Sequence, residues 1–114
     1  MLYRIKRING NVRIAFMSEH GPVELKPRWS QRVFNHSPDG FEMGYGGSGP
    51  AQSGLAILLH YLSRQQRDGV RLCRHDVESI AVDRHNEFTR RFVARNDRSV
   101  RIFDREIRDF LGEI

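Results

Sequence analysis

The sequence predicts an α+β fold, a small single domain over residues 1–114 with an N-terminal antiparallel β-hairpin and sheet packed against about three helices. Three observations carry this expectation. Residues 2–18 alternate apolar and polar side chains about an Asn9-Gly10 pair, a leucine-rich run at helical spacing follows Pro50, and the chain closes on a short strand and an amphipathic helix. Strands first, then helices with a strand between them, is the α+β pattern.

Taken in order, "LYRIKR" alternates, and "NVRIAFMS" puts Val12, Ile14 and Phe16 on one face, the period of a strand. Asn9-Gly10 between them suits a type I′ turn, whose two central residues both need positive φ. His20-Gly21-Pro22 turns the chain into a third strand, "VELKPR", which Pro27 ends or confines to an edge because proline donates no ladder hydrogen bond. "RVFNHS" offers a short fourth strand before a Ser37-Pro38-Asp39-Gly40 turn. A helix then starts at Pro50, with Leu55, Leu58, Leu59 and Leu62 on one face and Ser48 or Gly49 as its cap. Val70, Leu72, Ile80 and Val82 fit short strands or an excursion between helices. From Asp83, Phe88 and Phe92 share a helical face; "SVRIF" is a strand, and "DREIRDFLGEI" a closing helix capped by Asp104 with Ile107, Phe110 and Leu111 inward.

The composition narrows the function classes. An apolar fraction of 39% with seven Phe supports a folded core. No window approaches the ~20 apolar residues of a membrane span, and the N-terminus has no secretory apolar core. The single cysteine, Cys73, fits a reducing compartment, so a cytoplasmic location is expected. The net charge is +5, and all 19 basic residues are arginine save Lys6 and Lys26. Guanidinium groups recognise phosphate and carboxylate in bidentate fashion. A nucleic-acid or nucleotide partner and a plain solvated surface both fit this charge.

The most distinctive stretch is "GFEMGYGGSGPAQ". Glycine-rich backbone can turn several N–H groups toward one anion, and a helix N-terminus adds unpaired donors and a positive dipole end. Tyr45, Gly46, Gly47, Ser48, Gly49 and Gln52 are therefore candidate ligand-binding residues, with Ser48 and Gln52 as side-chain donors and Tyr45 as a stacking face. A tight loop packed on the helix accounts for the same glycines equally well. Known phosphate motifs do not match. Walker A needs Lys where Pro50 stands, the match of Gly44, Gly46 and Gly49 to G-x-G-x-x-G lacks a βαβ context, and Pro50 also breaks the nucleophile-elbow pattern. Phe41, Met43 and Tyr45 in the same loop are candidate interface anchors. His36, Ser37, Asp39 and Glu42 read as a turn and its flank, and Cys73, His75 and His85 lack the spacing of a metal site. No catalytic residue, metal ligand or cofactor is assigned.

The stretch "NHSPDGFEMGYGGSGPAQSGLAILLHYL" resembles the signature of a family of small proteins of unknown function, DUF6166. Asn35 to Glu42 and Gly44 to Gln52 carry the likeness; Met43 stands where the family usually has Trp, and Ser53-Gly54 where it usually has Leu-Ala. The helix around Phe88 and the closing "DREIRDFL" resemble the family more weakly. The resemblance implies a bacterial, phage or plasmid setting and supplies no activity. Three functions follow as expectations: a non-enzymatic accessory protein whose glycine loop binds a phosphate-bearing ligand such as a nucleotide or signalling nucleotide, an anti-defence inhibitor of a host protein acting through residues 40–49, and an arginine-mediated nucleic-acid module. Homo-oligomerisation is compatible with the first two.

Overall fold

The computed structural model describes residues 1–112. Four antiparallel strands, β1 (Leu2–Ile8), β2 (Asn11–Ser18), β3 (Gly21–Glu24) and β4 (Ser99–Phe103), form one sheet in the order β3-β2-β1-β4. The β1–β2 hairpin has the predicted turn, with φ of 50° at Asn9 and 82° at Gly10. Register places Tyr3 between Phe16 and Ile102, and Ile5 between Ile14 and Val100, so the inner face is a continuous apolar layer. This α+β arrangement is the one the periodicities anticipate.

Helices cover that layer. α2 (Ser48–Arg67) runs through the middle of the molecule, buried at every position from Gly49 to Leu58. It packs against α1 (Pro27–Gln31), α3 (Arg74–Phe88) and the π-helical turn Thr89–Val93 that continues α3. α4 (Asp104–Leu111) turns Ile107, Phe110 and Leu111 inward, as expected, and Phe110 meets Phe88 and Phe92 edge-on or tilted. Each large apolar side chain buried in this way contributes ~1.5–3 kcal/mol.

Several local expectations are corrected. Residues 32–37 form no strand: Pro27, instead of ending β3, opens α1 at its first position, where a missing N–H costs nothing. The Ser30 carbonyl then accepts the N–H groups of Val33 and Phe34, and the chain continues as loop. α2 begins at Ser48 with Gly47 as N-cap, so Pro50 falls inside the first turn. Residues 74–82 are helix and not strand, because Cys73 ends an extended stretch and its N–H donates to the Asp76 carboxylate at 3.0 Å, fixing a helix start there. Asp104 is the first helical residue of α4 and not its cap; Phe103 is the cap, with its N–H held by Glu106.

Candidate functional site at the start of helix α2

The glycine loop is clamped from both sides. Gly44 has φ of +85° and lies so close to Asp97 that a Cβ there would sit 2.5 Å from its Cα. A Cβ on Gly49 would sit 2.5 Å from Glu42 Cβ, and one on Gly47 would sit 2.8 Å from the Tyr45 ring. Three of the loop's glycines are thus accounted for by close approach. Gly46 faces open space.

Side chains of α2 hold the loop in place. Ser53 Oγ donates to the Glu42 carbonyl at 2.7 Å, and the Glu42 carboxylate accepts from Arg7 on β1 at 2.9 Å. Gln52 is fully buried: its Oε1 accepts from the His36 and Ser37 N–H groups, and its Nε2 donates to Ser30 Oγ and the Phe34 carbonyl. An amide side chain has two donors and two acceptor lone pairs, so Gln52 has nothing left for a ligand. Its assignment as a ligand-binding residue is replaced by a structural one. Phe41 and Met43 are likewise core residues, 7% and 0% exposed. Their apolar side chains are already spent on the interior, which leaves Tyr45, 50% exposed, as the accessible side chain of the three.

What remains at the surface converges on a hollow of about 420 Å³ at the start of α2, lined by His36, Gly46, Gly47, Ser48, Asn86 and Arg90 among others. Ser48 is exposed, no side chain caps α2, and the N–H groups of Ser48 and Gly49 have no protein acceptor among the described residues. Arg90, on the π-helical turn, is held by Glu87.

His36 forms the opposite wall. Its Nε2 lies 2.7 Å from Nε2 of buried His85, whose Nδ1 lies 2.6 Å from the Val82 carbonyl. A carbonyl only accepts, so a neutral His85 donates its Nδ1–H to Val82 and its Nε2 accepts from His36 Nε2–H. The His36 Nδ1 is then a lone-pair acceptor. Burial, and then the neighbouring His85, hold the His36 imidazole below its ordinary pKa. Among the described residues no group of three His, Cys, Asp or Glu is placed to hold a metal ion.

The site's far wall escaped the sequence reading. Asn86, Thr89 and Arg90 lie almost forty residues past the glycines, in a segment the sequence marks as helix from Asp83 but not as part of a site. The family model described as "Family of unknown function (DUF6166)" matches residues 3–72. The chain belongs to this family. The DUF6166 match runs from the second residue of β1 to beyond α2, and takes in the glycine loop and His36, whereas Asn86 and Arg90 lie beyond it. No curated protein and no solved structure matches the chain.

Proposed function

We propose that this chain is a non-enzymatic accessory protein, of phage or mobile-element origin, that binds a phosphate-bearing ligand in the hollow at the start of α2. A nucleotide or signalling nucleotide is the ligand class. The observation that carries the reading is the uncapped N-terminus of a 20-residue helix opening onto a hollow that Arg90 also lines. Unpaired N–H groups, the positive end of the helix dipole and a guanidinium all favour the same anion. Ser48 Oγ and the Asn86 amide add neutral polar groups to the rim. The clamped glycines support the reading in a different way: a loop already rigid loses little entropy when it binds.

Thermal unfolding against a panel of nucleotides, cyclic and linear, with inorganic phosphate alongside, tests the proposal. A ligand present at 100 times its Kd stabilises the native state by about 2.7 kcal/mol, which for a domain of this size is a shift of several degrees. Arg90→Ala should remove most of that shift while leaving the ligand-free midpoint nearly unchanged, since Arg90 is exposed. No stabilisation by any member of the panel at millimolar concentration sinks the proposal.

A further inference from the structure

The inner face of the sheet is core; its outer face is open, and no residue on it is fully buried. Register sorts that face into rows. One row is apolar: Met17 of β2, Leu2 of β1 and Phe103 of β4 lie side by side. The next rows are cationic. Arg4 lies directly opposite Arg101 on β4, and Lys6 directly opposite Arg13 on β2. Among the described residues of this face the one carboxylate is Glu24, which already meets Lys26 at 3.1 Å and Arg13 at 3.8 Å. Arg4, Lys6 and Arg101 have no carboxylate partner among the described residues.

Directly opposed residues of an antiparallel pair have Cβ atoms about 5 Å apart, and like charges there are destabilising. Two such pairs on one small face are a cost to the free protein that a polyanion removes. The adjacent apolar row selects among polyanions. A duplex offers its outside only as phosphate, whereas a single strand also offers unstacked base faces, which pack on aromatic and apolar side chains. Phe103 is half-buried with the Arg105 guanidinium 4.7 Å from its ring centre, the cation-on-aromatic pairing that also suits a base.

We propose that the outer face of the sheet binds single-stranded nucleic acid, with phosphates on Arg4, Lys6, Arg13 and Arg101 and bases against the Leu2–Met17–Phe103 row. This surface is separate from the hollow at α2 and its occupancy does not depend on that site.

Fluorescence anisotropy with a labelled 16-nucleotide oligo-dT, the matching RNA, a duplex of equal length and anionic phospholipid vesicles as competitor tests it. Four phosphates neutralised on a single strand give a log–log salt slope of about −2.8, hence about 50-fold weaker binding at 200 mM than at 50 mM salt. Arg4→Ser with Arg101→Ser should weaken binding at least tenfold. Phe103→Ser should weaken single-strand binding more than duplex binding, and Arg32→Ser, on the helical side, should change neither. Arg101→Ser alone, at an exposed edge-strand position, keeps the test informative if a double variant misfolds; it should cost several-fold. The proposal is overturned by absent binding at 50 mM salt, by unchanged affinity in the Arg101 variants, by a duplex bound as tightly as a single strand, or by vesicles that bind where oligonucleotides do not.

Discussion

His60 shows how one side chain couples the sheet to the central helix. Burial, and then the nearby Arg64 and Arg67, push its imidazole down to about 4. The Tyr3 hydroxyl lies 2.7 Å from His60 Nδ1, and its oxygen accepts from Arg64, which also grips both oxygens of Asp104 at 3.0 and 2.8 Å. With its oxygen accepting from Arg64, Tyr3 gives its one proton to His60, and this requires a neutral ring with Nδ1 bare. An unfolded histidine titrates near 6.5, so between the two values the unfolded chain binds the extra proton. The stability His60 contributes is therefore complete above about pH 6.5 and is lost as pH falls toward 4, with a ceiling of about 3 kcal/mol at 1.36 kcal/mol per unit. Urea unfolding at pH 7.5 and 4.5 measures it. His60→Asn keeps an acceptor near Nδ1 and removes the titration, so its slope across this range should be clearly shallower than that of the native protein. His36, held low in the same direction, leaves a remainder in both. Equal slopes in the two proteins would refute the assignment to His60.

Between elements, α2 meets the π-helical turn that continues α3 at close quarters. A Cβ on Gly54 would sit 2.1 Å from Thr89 Oγ1, and that hydroxyl is fixed by donating to the His85 carbonyl at 2.7 Å. Gly54→Ala therefore forces the helices apart, at a cost of about 1–3 kcal/mol. Thr89→Ala removes the obstructing oxygen, so the double variant should recover part of the loss. A double-mutant cycle in urea should give a coupling above about 0.5 kcal/mol, and additive losses would show that the contact is not the cause. The same contact explains which parts of the site were legible in the sequence. The hairpin announces itself through period-2 alternation and Asn9-Gly10, and α2 through its leucines. α3 announces only its end, from Asp83 to Phe88, because its earlier inward positions are Val77 and Ala81, too small and too few to mark a face. α1 was hidden by Pro27, whose residue type serves equally to stop a strand and to start a helix. The glycine run stood out, but Gln52 and Ser53, which hold its surroundings, look in sequence like ordinary helix residues.

For the molecule as a whole, the charge of +5 is unevenly placed. Arg64 is neutralised in a nearly buried pair with Asp104, whereas the outer sheet face opposes arginine to arginine and lysine to arginine. A fold selected for stability alone gains nothing from the second arrangement. Arg101→Thr exchanges a cation for a good strand former at an exposed edge position. It should raise stability by about 0.2–1 kcal/mol at low salt. The gain should shrink at 1 M salt, where the Debye length is about 3 Å and the repulsion between opposed side chains is screened. Urea midpoints of both proteins at 20 mM and 1 M sodium chloride decide it. A variant less stable than the native chain at low salt would mean that the arginine stem packs on the sheet and outweighs the repulsion. A variant more stable but weaker for single strands would mark Arg4–Arg101 as a pair kept at the expense of stability, the usual signature of a surface shaped by a ligand.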